Sequence, residues 1–272
     1  MFKSPAEIAF NIFGFPVYFY GITLALAILA GIYAAYYIYK KFYNTENNAE
    51  KIIDFSPYII IIGIVGARLY YCLVNYSYYI SHPLEIFYVR QGGLSIHGMI
   101  ILGVLSLFMF AKMYKMSFLK LFDVFMCGTA LAQSIGRWGN FFNSEAFGLP
   151  TNVLWKLYIP ISKRPPEFIN YEYFHPAFLY ESILDFAIFI ILLLIFKRFI
   201  NKPGVVACIY LILYSFARIY VEHIRIDSAL NIHGFPVAQL TSVGIILFAS
   251  IFMTILFISC LLYTSPSPRD RS

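Results

Sequence analysis

Long apolar runs separated by short polar stretches carry the chain from Pro16 to Ser259. A helix needs about 20 apolar residues to cross a hydrocarbon core about 30 Å thick. Seven runs approach that length, at about 17–39, 55–74, 94–111, 118–136, 178–199, 204–222 and 237–259. The pattern predicts an all-α polytopic integral membrane protein with about seven transmembrane helices, in one transmembrane domain over residues 1–259. Ahead of the first run, Pro5 to Phe13 mixes Glu7 and Asn11 with Ile8, Phe10, Ile12 and Phe13, and reads as a segment lying flat at the interface.

The loops set the orientation, because Lys and Arg are disfavoured on the outer side. Lys40, Lys41, Lys51, Lys112, Lys115, Lys120, Lys197, Arg198 and Lys202 crowd the short loops after helices one, three and five. Lys3, Arg90, Arg137, Lys156, Lys163, Arg164 and Arg225 are spread over far more chain on the other side. This density predicts the N-terminus outside and the C-terminus inside. Tyr20, Arg68, His97, Arg137, Tyr180, Glu181, Arg218 and Glu222 then all fall at outer helix ends, which points to a site at outer-leaflet depth. Snorkelling also draws ionisable groups to an interface, but it predicts both sides equally. The loop over residues 149–174, between helices four and five, is long enough to form a small cap on the outer face.

Composition narrows the partners. The 272 residues are 60% hydrophobic and 12% charged, against roughly 25% charged in an average soluble domain. The formal charge of +6 is scattered singly or in pairs, so no basic domain exists to grip nucleic acid, and anionic phospholipid in the surrounding bilayer is the expected partner. Cys72, Cys127, Cys208 and Cys260 show no ligand spacing, and neither a disulfide, a metal nor another cofactor is expected. No cleavable signal is evident. Cys260 to Asp270, CLLYTSPSPRD, reads as a translated sequencing adaptor, and residues 260–272 are set aside on that expectation.

Four stretches carry candidate chemistry. Arg137 to Gly148, RWGNFFNSEAFG, follows the fourth run and offers Arg137, Asn140, Asn143 and Glu145 among glycines, a loop able to wrap an anionic headgroup. The alternative is a helix end whose polar groups only cap and face water. In GGLSIHG, His97 opens helix three; an imidazole ordinarily titrates near neutral pH and suits a base for a thiol, although a lone intramembrane histidine also serves as a structural hydrogen-bonding group. Tyr214, Arg218, Glu222 and Arg225 follow at helical spacing along one face. An arginine at mid-membrane costs about 2.5 to 3.5 kcal/mol, so this face belongs to the bundle interior or a wet cavity. A clamp between helices would use the same residues. Arg68, Arg137, Arg218 and Arg225 outnumber Glu145, Glu181 and Glu222, and a surplus guanidinium invites a phosphate. In HPAFLYE, capping of the helix start accounts for Glu181, which is assigned no catalytic role.

These blocks, in this order and over nearly the whole chain, resemble the prolipoprotein diacylglyceryl transferases. The resemblance implies a seven-helix enzyme of the bacterial cytoplasmic membrane with its site toward the outer leaflet. It implies transfer of the diacylglyceryl group of phosphatidylglycerol to the lipobox cysteine thiol of a prolipoprotein signal peptide, releasing glycerol phosphate. Tyr20, His97, Arg137, Asn140, Asn143, Glu145, Gly148, Tyr214, Arg218, Glu222 and Arg225 fall on functional positions of the family. By resemblance Arg137 and Arg218 engage the phosphate and His97 helps deprotonate the thiol, and Arg68 is added as a substrate-binding cation. Met99, Phe178 and Ser144 depart from the family pattern, and none of them removes a titrating group. Two rivals remain at this point. A lipid or solute carrier would use the same cations only to bind, and a metal-dependent phosphatidyltransferase would need clustered aspartates, whereas Asp54, Asp123, Asp185 and Asp227 are scattered.

Overall fold

The computed structural model of the chain describes residues 2–43, 46–89, 92–226, 231–232 and 235–264. Arg90, Asp227 and the tail from Ser265 to Ser272 lie outside the described residues. The helices are α1 (Phe19–Tyr43), α2 (Glu46–Val74), α3 (Tyr76–Ser81), α4 (Ile96–Met113), α5 (Phe118–Asn143), α6 (Ala177–Phe199), α7 (Val205–Glu222) and α8 (Val237–Thr264). Short strands accompany them: β1 (Phe2–Lys3), β2 (Ile8–Ile12), β3 (Phe15–Tyr18), β4 (Leu157–Tyr158), β5 (Tyr173–Phe174), β6 (Asn231–Ile232) and β7 (Phe235–Pro236). All of the helices but α3 are long and apolar enough to cross a membrane. Leu29, Leu194 and Phe248, each more than 60% exposed, are the kind of side chain that lipid tails would cover.

Each predicted run falls on one of these helices, but α2 starts at Glu46, well before the expected 55, and one boundary at α5 has a consequence for the site. The fourth run was expected to stop at 136, with a loop from Arg137; α5 instead continues to Asn143. Its polar residues find partners without leaving the helix. Trp138 Nε1 donates to Ser182 Oγ at 3.2 Å, and Arg137 reaches two carboxylates on α6. The segment expected to lie flat at the interface is a β2–β3 hairpin, with Ile12 paired to Phe15 across a tip of Phe13 and Gly14.

Two compact units divide the chain: Met1–Ala35 with Asp123–Ser272, and Tyr36–Phe122. In the first, α1 and α5 cross where Gly31 meets the carbonyl of Gly128, so close that a Cβ on Gly31 would stand 2.8 Å from that oxygen. The α5–α6 seam is fastened by reciprocal serines, Ser134 Oγ donating to the Ser182 carbonyl at 2.9 Å and Ser182 Oγ to the Ser134 carbonyl at 2.8 Å. Asp123, buried near the start of α5, accepts from the backbone N–H groups of Gly204 and Ala207, both at 2.7 Å. It thereby satisfies two of the orphan donors at the start of α7.

The loop between α5 and α6 folds as a lobe on its own apolar centre of Leu157, Ile159, Phe174 and Phe178, with Phe141 and Phe147 packed against it. A three-stranded sheet in the order β1, β4, β5 closes it, β1 parallel and β5 antiparallel to β4. Lys163 anchors the lobe further through an ion pair to Glu7 at 3.0 Å.

The second unit centres on α2 packed against α4, where Gly66 and Gly98 let the two backbones touch. From the end of α2 the chain runs through α3 and a 3₁₀ turn at Pro83–Phe87 toward the start of α4.

Candidate functional site

The densest polar group in the first unit is assembled from three helix ends and one turn beyond. Glu181, in the second turn of α6 and 5% exposed, is its centre. Its Oε2 meets Arg137 Nη1 at 2.9 Å, and its Oε1 meets Arg218 Nη1 at 3.0 Å and Arg225 Nη1 at 3.2 Å. One carboxylate therefore serves three guanidiniums. One helical turn further along α6, Asp185 Oδ2 lies 3.8 Å from Arg137 Nε, and Arg218 Nη2 pairs with Glu222 Oε2 at 2.7 Å. Tyr214 lines the same recess with Arg137, Glu181, Asp185 and Arg218.

Local sequence explains the convergence. Arg218 and Glu222 are one turn apart on α7 and share a face. Arg225, just past α7, is held by a backbone bridge to Gly148. Gly148 is there because nothing larger fits: its N–H donates to the His175 carbonyl at 2.8 Å, and a Cβ would stand 2.6 Å from Ile224 Cγ2. The motif after α5 thus sets the position of Arg225 through backbone contacts.

Burial gives the cluster a polarity. The side chains of Glu181, Asp185 and Glu222 are 5%, 3% and 2% exposed, while those of Arg137, Arg218 and Arg225 keep 20%, 22% and 14%. The acids lie behind and the cations in front. Each guanidinium carries five N–H donors in a fixed fork, and the contacts of Arg137 and Arg218 with these acids engage only part of that set. Such a surface can receive an anion without an unpaired buried charge in the empty state.

The other residues singled out from sequence take different places. Tyr20, second residue of α1, lies with its ring against Gly139 of α5. Asn140 and Asn143 are half-buried on the last turn of α5, and the Asn140 carbonyl accepts the N–H of Glu145 at 2.9 Å. Glu145 is exposed between Ser144 and Ala146, both at positive φ, 54° and 53°, an uncommon and costly state for residues with a Cβ. It borders a cavity of about 440 Å³ that is also lined by Lys163 and Glu167 of the lobe.

His97 and Arg68 belong to the second unit. His97 is exposed near the start of α4 with its ring stacked on Tyr70 at 5.8 Å. Arg68 is 7% exposed and donates to four backbone carbonyls: Ile86 at 2.9 Å through Nε, Gly92 at 2.8 Å and Gly93 at 3.1 Å through Nη1, and Glu85 through Nη2. Tyr71 and Tyr79 flank it.

Sequence reasoning gave Glu181 only a capping role and counted Asp185 among scattered aspartates. HPAFLYESILD holds both on one face of a helix, four residues apart, in a run otherwise too apolar to tolerate them. That spacing was the available signal. Within the first unit the cluster pairs three arginines with three acids, because Asp185 joins Glu181 and Glu222. Among the described residues, no group of three or more His, Cys, Asp or Glu side chains is placed to hold a metal ion.

Residues 7–255 match the family described as prolipoprotein diacylglyceryl transferase. The phosphatidylglycerol–prolipoprotein diacylglyceryl transferase of Nostoc sp. (strain PCC 7120) is 42% identical over 247 residues, 89% of this chain and 86% of that protein. The enzyme of the same name from Synechocystis sp. is 40% identical, covering 90% of this chain and 87% of the relative. That of Prochlorococcus marinus (strain MIT 9301) is also 40% identical, covering 98% and 97%.

Proposed function

The chain belongs to the prolipoprotein diacylglyceryl transferase family, and from that premise we propose that the cluster built on Glu181 is the seat of the phospholipid phosphate. The activity is transfer of a diacylglyceryl group from phosphatidylglycerol to a prolipoprotein, a step of lipoprotein maturation, carried out by a multi-pass membrane protein. Family membership favours this enzyme over a carrier that uses the same cations only to bind.

The acceptor is the lipobox cysteine of the signal peptide. Its thiolate attacks the glyceryl carbon that bears the phosphodiester, the carbon–sulfur bond forms as the carbon–oxygen bond breaks, and the electron pair leaves on glycerol phosphate. Charge gathers on the departing phosphate, and Arg137 and Arg218 meet it with donors already oriented by Glu181 and Glu222. Arg225 completes the cationic face. Tyr214 closes one wall, Tyr20, Asn140, Asn143 and Glu145 border the substrate, and Gly148 keeps Arg225 in register. His97 helps deprotonate the thiol, as the family resemblance implies. Arg68 is a further substrate-binding cation, with its guanidinium held by the carbonyls of Glu85, Ile86 and Gly92. The site faces the outer leaflet of the cytoplasmic membrane, with the N-terminus outside, a reading supported by the density of Lys and Arg in the opposite loops.

The observation that carries this reading is the polarity of the cluster, buried acids behind more exposed arginines. Membranes containing the chain, supplied with labelled phosphatidylglycerol and a lipobox peptide, are expected to label a Cys peptide, leave its Ser version unlabelled and release glycerol phosphate. Equal labelling of both peptides, or none with folded protein, overturns it.

A further inference from the structure

A cavity of about 370 Å³ opens beside α6 and α7, with Trp155, His175, Tyr180, Leu184, Tyr220 and Ile224 in its walls. Most of the lining is apolar, but one side carries three hydrogen-bonding groups in series. Trp155 Nε1 donates to Tyr180 Oη at 2.8 Å, and Tyr180 Oη lies 3.0 Å from His175 Nδ1. Ile183 and Tyr220, 58% and 63% exposed, place the cavity on a face of the helix pair open to the surroundings.

This cavity and the arginine cluster stand back to back along the same two helices. Tyr180 lines the cavity and Glu181, next in the chain, holds the arginines; Leu184 and Asp185, then Ile224 and Arg225, repeat the pairing. Leu184 belongs to both walls. An apolar compartment sharing a wall with a cationic one has the polarity of a phospholipid.

We propose that the cavity is an acyl-ester site, taking an ester carbonyl and the adjoining acyl chain of the lipid whose phosphate meets Arg137 and Arg218. The proposal rests on the transferase reading above. An indole N–H can only donate, so the Tyr180 oxygen accepts from Trp155, which leaves the Tyr180 proton able to point at His175 Nδ1 when that nitrogen is unprotonated. In that tautomer His175 carries its ring proton on Nε2 and offers a donor to the ester carbonyl, while the apolar walls cover the chain. The volume is at the lower end of the range for small-molecule pockets, roughly 300 to 1,000 Å³, which suits one chain rather than two.

The test uses the full chain in vesicles of phosphatidylglycerol and phosphatidylethanolamine, with a phosphatidylglycerol probe carrying a diazirine near the ester end of one acyl chain. Photolysis is expected to label the peptides bearing Ile183 or Tyr220, and unlabelled phosphatidylglycerol, not phosphatidylethanolamine, is expected to compete. Label elsewhere only, or equal competition by both lipids, overturns the site. Filling the cavity with Ile183→Trp is expected to raise KM for long-chain phosphatidylglycerol about tenfold more than for the dihexanoyl lipid. Tyr180→Phe, which leaves His175 Nδ1 without its partner, is expected to raise KM for both lipids with kcat little changed. An Ile183→Trp effect that ignores chain length contradicts the proposal. The two readings fail separately: competed labelling without transfer to the Cys peptide removes the transferase reading, and transfer without labelling removes the acyl site.

Discussion

Arginine is housed in two opposite ways in this molecule. In the second unit Arg68 gives four hydrogen bonds to neutral acceptors, the carbonyls of Glu85, Ile86, Gly92 and Gly93, and sits almost wholly buried between tyrosines. In the first, Arg137, Arg218 and Arg225 share one buried carboxylate and keep part of their surface open. The first arrangement ties the guanidinium to backbone on both sides of it. The second is a charged surface with its counter-ions placed behind it. An arginine's role in a membrane protein is thus read from its acceptors, carbonyls for a pin and shared acids for a receptor.

Removing the shared acid strikes the comparison hardest. Glu181→Gln leaves three guanidiniums without their common partner, and a loss of about 3 to 5 kcal/mol of stability is expected, with transfer abolished, measured by thermal unfolding in detergent and by the transfer assay. Arg68→Lys surrenders most of the carbonyl contacts and is expected to cost about 1 to 3 kcal/mol, read as faster hydrogen exchange over residues 83–89, while turnover of the folded fraction falls far less. Gly148→Ala forces a Cβ against Ile224 and displaces Arg225; about 1 to 3 kcal/mol is expected, with a rise in KM for phosphatidylglycerol. The smallest effect belongs to the exposed loop of the second unit. Tyr78 Oη donates to Glu85 at 2.8 Å, and that bond holds its phenol above the ordinary tyrosine pKa. Glu85→Gln is expected to bring the Tyr78 titration back down in a spectrophotometric titration, with transfer unchanged.

The spans were legible because the bilayer imposes a length on apolar runs that the sequence must honour, and α6 and α7 begin within a residue of their predicted starts. Arg218 and Glu222 could be paired from helical spacing alone. What stayed hidden depends on partners distant in sequence. The last two turns of α5 looked like loop because Arg137 is polar, and they remain helical because Glu181 and Asp185, more than 40 residues later, meet that charge. Glu181 looked like a helix-start acid because local capping explains such a residue equally well. Asp123 could not be read as a cap, its donors lying 81 and 84 residues away. The β1–β4 pairing joins Phe2 to Leu157 with no local signal at either end.

The central claim is that the fork of Arg137, set by Glu181, meets the leaving phosphate. The most direct measurement is single-turnover release of glycerol phosphate by Arg137→Lys, compared with wild type at matched folded amounts. Lysine keeps the charge and loses the fork, and the account predicts a rate lower by about a hundredfold or more at unchanged unfolding temperature. A wild-type rate from that variant would contradict it.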